Sequence, residues 1–268
     1  MLMGVSALLP GQTVEVVRDE YWVPHIIGDG LYECAYGLGR VMAEDHPAVV
    51  LERVLTVRGT LAAAYGSQDL VSDLLMRGFR VHATADSHYA ALPQDVRRYI
   101  EGFVAGVNDH FQLNPQDIPP EIAAIHPLPV TPVDVYALGI LFFFYKEWQV
   151  FLEDAAGYIG NPEALTLPEG AGVDLSNQWA LSPSRTADGA VYLLCDPHQM
   201  FTGINASYEA HLIIRNLSVD FEGKFAQGVP LPSMGHNRTL AWSFTSNKPD
   251  HADAYLVTLD PQNPDAYL

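Results

Sequence analysis

The sequence predicts an α+β protein in which a mainly helical first part precedes a strand-rich second part. Apolar residues recur at helical spacing through much of residues 31–156, whereas short runs of alternating apolar residues are typical of residues 176–268. Between them, residues 157–175 are rich in Gly and Pro and show no periodicity, which indicates a linker. The predicted organisation is therefore a region over 1–156, a spacer over 157–175 and a strand-rich region over 176–268.

The first region is predicted to begin with a strand pair and to continue as amphipathic helices. Residues 12–29 read as two strands joined by a polar turn at Arg18 and Asp19. Gly59 is expected to end the second helix. The predicted helices begin at Leu31, run over 44–58, open at Pro93 and run over 131–153. The Pro-rich residues 115–132 are predicted to connect the last two helices.

The second region is predicted to consist of short strands. Apolar runs or alternation indicate strands at residues 191–195, 208–214 and 240–245. Glu222 and Gly223 are predicted to form a hairpin-like turn.

The amino-acid composition limits the classes of protein to which the chain can belong. The 268 residues include 49% hydrophobic and 17% charged residues, which is typical of an ordered globular chain. A net charge of −18 repels nucleic acid and anionic membranes, so neither is an expected partner. The apolar residues 137–145 are too few to span a bilayer, and Cys34 and Cys195 are expected to be buried thiols rather than a disulfide. No export signal is visible, which leaves open a cytoplasmic protein or a chain whose leader is absent.

Residues 175–180 (LSNQWA) carry the main functional hypothesis. A serine hydroxyl needs a nearby base, and an N-terminal serine can use its own α-amine, whose reference pKa is about 7.7. Cleavage before Ser176 would provide that amine. The local residues are also compatible with a plain polar turn that leads into a strand, so they leave both interpretations open.

Five motifs in order resemble those of the penicillin acylase family of N-terminal nucleophile hydrolases. They occupy residues 16–26 (VVRDEYWVPHI), 43–59 with AEDHP at its start, 102–108 with AGVN at its end, 176–198 and 235–245 (GHNRTLAWSFT). Trp22 replaces the family's usual Gly, and Leu175 stands where relatives usually have Gly before the nucleophile. The resemblance implies a four-layer αββα sandwich, apparently incomplete at the C-terminus of this chain.

The resemblance also implies a chemistry. The chain would be a zymogen that cuts itself between Leu175 and Ser176 into associated α and β chains. Ser176 would then hydrolyse the amide of an N-acylated small molecule through an acyl-enzyme. The substrate would be an acyl-homoserine lactone or a penicillin or cephalosporin, which implies quorum quenching or antibiotic metabolism, and a periplasmic or secreted location.

Further site residues follow from the same resemblance. His198 would orient the nucleophile, and the backbone N–H of Ser246 would donate to the oxyanion. One structural Ca²⁺ would be held by Asp250, Ala252, Asp253 and a distant acidic residue, Glu153 or Glu147. No organic cofactor is implied. The side chains expected to line the acyl pocket belong to Phe142, Phe143, Tyr145 and Trp148.

Two other interpretations remain open from the sequence. The chain could be an incomplete or noncatalytic relative without independent activity, because a second oxyanion donor of the family lies beyond Leu268. A weaker alternative is metal-dependent hydrolysis, using Asp196, His198, His236 and His251.

Overall fold

The computed structural model describes residues 3–4, 14–159, 175–199, 201–202, 206–245, 255 and 257–267. This description leaves out the side chains of residues 3–4, 143–150, 152–153, 156, 159, 175 and 264–265, which lie in the helix at 132–159 or in strands. The mixed helical and sheet architecture confirms the predicted α+β class.

Helices dominate the first half of the chain. They are α1 Leu31–Asp45, α2 Pro47–Arg58, α3 Leu61–Tyr65, α4 Leu70–Gly78, α5 Val81–Tyr89, α6 Gln94–Leu113, α7 Pro120–Ala123 and α8 Pro132–Ile159. Pro47 occupies the first turn of α2, where its missing N–H costs nothing, and the left-handed Gly59 (φ 63°) ends that helix.

The strands lie at both ends of the chain. They are β1 Met3–Gly4, β2 Val14–Arg18, β3 Pro24–Gly28, β4 Leu175–Leu181, β5 Tyr192–His198, β6 Ser207–Ile214, β7 Val219–Ala226, β8 Pro232–Asn237, β9 Ala241–Trp242, β10 Leu259–Asp260 and β11 Asn263–Tyr267. Seven of them form one sheet in the order β1-β2-β3-β6-β7-β8-β9, while β4 pairs with β5 and β10 with β11.

The large sheet joins the two predicted regions. Its strands are antiparallel except at β3 and β6, which run parallel with His25 opposite His211 and Gly28 opposite Ile214. Because β3 precedes Ser176 and β6 follows it, the parts of the chain on either side of Ser176 share one sheet.

One face of this sheet packs on α1, and α6 packs on α1. Val14, Val16 and Ile26 alternate with more exposed residues along β2 and β3, and they are buried in the main core together with the inward residues of β6. The helices approach each other at glycines. A Cβ on Gly39 would lie 2.1 Å from the Phe103 carbonyl oxygen, and one on Gly106 would lie 2.0 Å from the Tyr36 carbonyl oxygen.

A second core cluster lies where α2, α4, α5 and α8 meet. Beside it, the fully buried Asp134 carboxylate accepts hydrogen bonds from Arg58 Nε at 2.8 Å and Arg58 Nη2 at 2.7 Å, and from the backbone N–H of Thr131 at 2.7 Å. Burial alone would raise the pKa of Asp134, but the donors from Arg58 and Thr131 outweigh it and hold that pKa below its ordinary value.

Several predicted elements need correction. Residues 222–223 do not form a turn but lie inside β7, where a Cβ on Gly223 would lie 2.2 Å from the Met234 carbonyl oxygen; close strand approach therefore explains this glycine. The second helix begins at Pro47 rather than at residue 44. The strand predicted over 240–245 is limited to Ala241–Trp242 within the described residues.

Two further properties follow from the described residues. None of the helices among them is both long enough and apolar enough to cross a membrane. Both cysteines are free, with Cys34 buried and Cys195 only half-buried, so the expectation of two buried thiols holds for Cys34 alone.

Candidate active site

The β4–β5 hairpin carries the predicted nucleophile. In its register Leu175 opposes His198, Ser176 opposes Pro197 and Asn177 opposes Asp196. The Leu175–Ser176 peptide bond therefore lies within a strand, directly across from the Pro197–His198 bond. The spacing of 22 residues between Ser176 and His198 is closed by the hairpin.

Hydrogen bonds within the turn stabilise the β4–β5 hairpin. Asp188 accepts hydrogen bonds from the Tyr192 hydroxyl at 2.6 Å and from the Ala190 backbone N–H at 3.1 Å, and Gly189 takes a positive φ of 72° between them. The Tyr192 hydroxyl, followed by the Ala190 N–H, lowers the pKa of the Asp188 carboxyl. These contacts explain the glycine of the motif, and sequence reasoning did not single out Asp188 or Tyr192.

The His198 ring contacts two polar neighbours on the hairpin. Its Nε2 lies 3.0 Å from Asn177 Nδ2 and 3.1 Å from Asp196 Oδ2, and the His198 and Asp196 side chains are 39% and 52% exposed. When Nε2 carries a proton it donates to Asp196, and when it is bare it accepts from Asn177. The ring is therefore oriented in either form.

Ser176 and His198 lie on different faces of the uncut hairpin. Side chains directly opposite each other share a face, and successive residues alternate between faces. The residues of the Ser176 face are Ser176, Pro197, Gln178 and Cys195, whereas His198, Asn177 and Asp196 occupy the other face. The register brings the backbone at Ser176 next to that of His198, but it directs their side chains apart.

A contact just after β5 links the hairpin to the large sheet. Lys224 on β7 donates from Nζ to Gln199 Oε1 at 2.5 Å. Because Gln199 directly follows His198, this hydrogen bond ties the end of β5 to a strand of the main sheet.

The β8–β9 turn contains the GHN motif. Asn237 Oδ1 accepts the backbone N–H groups of Thr239 at 2.9 Å and Leu240 at 2.8 Å, which makes Asn237 a turn residue. Gly235 has a positive φ of 155°, and a Cβ there would lie 2.3 Å from the Glu222 carbonyl oxygen. After the turn, Trp242 stacks on Phe221 with ring centroids 5.0 Å apart.

The remaining predicted residues are only partly described. Phe142 is partly buried and packs on the second core cluster. The residues whose side chains or positions lie outside the described part are Phe143, Tyr145, Glu147, Trp148, Glu153, Ser246, Asp250, Ala252 and Asp253. Their proposed roles in the pocket, the oxyanion hole and the Ca²⁺ site stay predictions.

Metal-dependent hydrolysis gains no support from the described residues. Across 3–4, 14–159, 175–199 and the later described ranges, no group of three or more His, Cys, Asp or Glu residues is placed to hold a metal ion. His251, one residue of that alternative, lies outside this part of the chain.

Comparison with known proteins decides the family. The family model described as penicillin amidase matches residues 13–268. The chain belongs to the penicillin amidase family. It is 26% identical to acyl-homoserine lactone acylase PvdQ from Pseudomonas syringae pv. tomato, over 99% of this chain and 39% of that protein.

Other members of the penicillin amidase family are similar over comparable lengths. The chain is 27% identical to aculeacin-A acylase from Actinoplanes utahensis, over 96% of this chain and 36% of the relative. It is also 27% identical to penicillin acylase 2 proenzyme from Pseudomonas sp., over 94% and 38%. The chain thus spans less than two fifths of the length of these curated relatives.

Among solved structures, thermostable penicillin G acylase from Alcaligenes faecalis is 25% identical, with a TM-score of 0.45. That alignment covers 57% of this chain and 87% of the other. The relatives' names support hydrolysis of N-acyl compounds as the activity of the family to which this chain belongs.

Proposed function

We propose that this chain belongs to the precursor of an acylase that hydrolyses the amide bond of an N-acylated small molecule. Cleavage of the Leu175–Ser176 bond would produce an α chain and a β chain that remain associated. Ser176 would then be the N-terminal nucleophile. The proposed substrates are acyl-homoserine lactones or acylated β-lactams of the penicillin or cephalosporin type.

The register of the β4–β5 hairpin is the observation that supports this proposal most directly. It sets the Leu175–Ser176 bond opposite the Pro197–His198 bond, and Asp196 and Asn177 orient the His198 ring. The family match over residues 13–268 supports the chemistry, because the named relatives are acylases.

Self-cleavage would use the hydroxyl of Ser176. Its Oγ attacks the carbonyl carbon of Leu175, the peptide C–N bond breaks, and the acyl group passes from nitrogen to oxygen as an ester. Water then hydrolyses that ester, which leaves the carboxyl group on Leu175 and a free α-amine on Ser176. Leu175 is bulkier next to the reacting carbonyl than the Gly that the family resemblance leads us to expect there.

Catalysis would use both groups of the new terminus. The α-amine takes the proton from Oγ, directly or through a water, as Oγ attacks the substrate carbonyl. The amine component leaves with that proton, and water then attacks the acyl-enzyme to release the acid. The backbone N–H of Ser246 is proposed to stabilise the oxyanion, a type of contact whose loss costs on the order of 10²–10³ in kcat.

The substrate and ion sites extend this proposal. Phe142 starts the stretch of α8 that we propose as the acyl pocket, together with Tyr145 and Trp148, and aromatic side chains suit an apolar acyl group. One structural Ca²⁺ is proposed at Asp250, Ala252 and Asp253 with Glu153, since such an ion prefers several oxygen ligands. We also propose that the precursor is exported, as the family resemblance implies.

Intact-mass analysis with N-terminal sequencing of the full-length precursor tests the proposal. The expected result is a fragment that begins Ser-Asn-Gln-Trp, together with release of the amine component from an acyl-homoserine lactone or an acylated β-lactam. Ser176→Ala is expected to abolish both processing and hydrolysis, whereas Ser184→Ala, an exposed serine in the same hairpin, is expected to preserve them.

Other outcomes would count against parts of the mechanism. An uncut precursor that behaves like Ser176→Ala and hydrolyses no acyl amide would favour the noncatalytic interpretation. Leu175→Gly separates slow processing from its absence, because a smaller residue is expected to speed the acyl shift without changing hydrolysis by the mature enzyme.

A further inference from the structure

Two histidines meet at the parallel junction of the large sheet. His25 on β3 and His211 on β6 are register partners, and their Nδ1 atoms lie 2.8 Å apart with the rings at 77°. We call them the histidine pair. A nitrogen–nitrogen contact of this length needs one hydrogen between the atoms, because one ring must donate and the other accept.

Neighbouring groups decide which ring donates. His211 Nε2 lies 2.6 Å from Asp220 Oδ1, and Arg238 Nε lies 2.6 Å from Asp220 Oδ2. The hydrogen bonds from His211 and Arg238 hold the pKa of the Asp220 carboxyl below its ordinary value, so this carboxylate stays an acceptor. His211 therefore carries its proton on Nε2 and, when neutral, accepts at Nδ1 from His25.

The second ring nitrogen of His25, Nε2, can accept a further proton. Its Nε2 is buried without a hydrogen-bond partner and lies 3.7 Å from Asp19 Oδ2. Asp19 is held in place at the β2–β3 turn, where its other oxygen accepts the N–H groups of Tyr21 and Val23 at 2.9 Å each. A first added proton on His25 Nε2 faces this carboxylate and leaves the Nδ1 contact intact.

A second added proton breaks the contact. The vacant position is then Nδ1 of His211, and a proton there would point at the Nδ1–H of His25. Two donors cannot share one hydrogen bond, so the rings must separate. The native pair thus accepts one proton, whereas the same two histidines in the unfolded chain accept two.

The surroundings of the pair are mixed but mainly acidic. Glu222 on β7 is the register partner of His211, and it lies 3.9 Å from His236 on β8. By register and alternation, the titratable or charged groups on the same face of the sheet as the pair are Glu15, Glu209, Asp220, Glu222, Lys224 and His236, while Asp19 and Arg238 lie in the adjoining turns. None of these carboxylates removes the conflict at Nδ1.

The position of the pair gives it a role. The β3–β6 ladder joins β1–β3, which precede Ser176, to β6–β9, which follow it. We propose that the histidine pair is a one-proton bridge that makes the association of these two segments weaker in acid. The bridge exists in the uncut chain, and it becomes a contact between two chains only where the proposed cleavage at Ser176 also occurs.

Other contacts also hold together the two segments that meet at the β3–β6 ladder. Arg215 donates to Asp29 at 3.1 Å, Asn216 donates its backbone N–H to the Asp29 carbonyl at 3.0 Å, and Cys34 donates to the Ile213 carbonyl at 3.4 Å. The expected effect of acid is therefore a graded loss of stability rather than immediate separation.

The test measures unfolding of the full-length protein by denaturant between pH 7.5 and 5.0, with Ser176→Ala as the parent so that the chain stays uncut. Free imidazole titrates at about pH 6.5. When the unfolded chain binds one proton more than the native protein, the unfolding constant changes by about tenfold per pH unit. His25→Asn can place an amide near Nδ1 that donates to or accepts from His211 without titrating. Between pH 6 and 5, the unfolding constant of the parent is expected to rise by up to about tenfold more than that of His25→Asn.

Matched variants decide between outcomes. His88→Asn removes an exposed histidine on α5 and is expected to keep the parental pH profile. His211→Asn keeps an acceptor for His25 and provides the same test if His25→Asn does not fold. A pH profile shared by the parent and the pair variants overturns the proposal. So does a loss of stability in EDTA, or a gain with Zn²⁺ that requires both histidines, since a metal would then hold the pair.

The two-chain form is tested separately on processed protein, by size-exclusion chromatography at pH 7.5 and 5.0. In mild denaturant, the expected result is a larger released fraction of one chain at pH 5.0 than at pH 7.5, with a smaller difference in His25→Asn. Retention of both chains with an unchanged profile in His25→Asn would refute the inter-chain role. A protein that is never processed would instead count against the proposed cleavage while leaving the result on the uncut chain valid.

Discussion

Replacing Gly106 by Ala tests whether close contact between α1 and α6 sets the position of the helical layer. The added Cβ would lie 2.0 Å from the Tyr36 carbonyl oxygen and 2.9 Å from the Arg40 backbone nitrogen. An ordinary carbon–oxygen contact needs about 3.3 Å, so the helices must separate locally by more than about 1 Å. Alanine favours the helix by about 1 kcal/mol over glycine, which offsets only part of the overpacking.

The expected net loss of unfolding free energy is about 2 kcal/mol, because the shift also loosens buried neighbours such as Phe103. For a domain of this size, this loss lowers Tm by roughly 4–8 °C. Chemical and thermal denaturation followed by circular dichroism provide the measurement. The control is Gly139→Ala on α8, where nothing lies within 4 Å of the new Cβ and a gain of up to about 1 kcal/mol is expected.

The two substitutions make the same chemical change, so the test is whether they change the free energy of unfolding in opposite directions. If Gly106→Ala is as stable as the parent, or if Gly139→Ala is equally damaging, then the close approach of α1 and α6 does not control stability. Unchanged stability would also remove the physical explanation given for the glycine in the AGVN motif.

Two further predictions concern other parts of the molecule. Asp134→Ala leaves Arg58 without its buried partner and is expected to cost about 3–5 kcal/mol of unfolding free energy, while Asp29→Ala at an exposed ion pair costs about 1 kcal/mol or less. Because the pKa of Asp134 is lowered in the fold, its contribution to the free energy of unfolding is complete above about pH 4 and is lost as the pH falls further. This would be contradicted if the free energy of unfolding fell equally with decreasing pH in the parent and in Asp134→Ala. In the processed enzyme, His198→Gln is expected to lower kcat by on the order of 10²-fold with a smaller change in KM and an altered pH profile, whereas an unchanged kcat would remove the positioning role.

Much of the fold could be predicted where one periodicity persists. The strand pair and the helices α1 and α6 were predictable because each buries one apolar face. Helix α8 was predictable from the proline at its start and the apolar residues that follow it. The short helices over 61–89 were not predicted, since each is held by tertiary contacts. An example is Asp73, which accepts the N–H groups of Leu61 and Ala62 at 2.8 and 3.0 Å from another helix.

Glycine was the least reliable signal. Gly59 ends α2 as predicted, but Gly223 lies in mid-strand, because its lack of a side chain permits the close approach of β8 rather than a change of direction. The same residue type thus has two physical uses, and only the paired strand distinguishes them.

In the candidate site, only contacts between residues close together in the sequence could be predicted. A hairpin brings the backbone at Ser176 next to that at His198 because the two lie on its paired strands, which residues 182–191 connect. The histidine pair could not be inferred, since His25 and His211 are 186 residues apart and meet only through a parallel ladder. Sequence periodicity gives the outward face of each strand but not which strands become neighbours.

The uncut hairpin also constrains how the proposed mechanism can proceed. While Leu175 is joined to Ser176, strand alternation keeps the Ser176 side chain on the face opposite to the His198 ring. Cleavage removes the chain on one side of Ser176, so the new terminus loses the bond that fixes it in the strand. The α-amine and Oγ can then turn toward the face on which Asp196 and Asn177 already orient His198. The same cut that provides the base would thus also permit the geometry in which His198 acts.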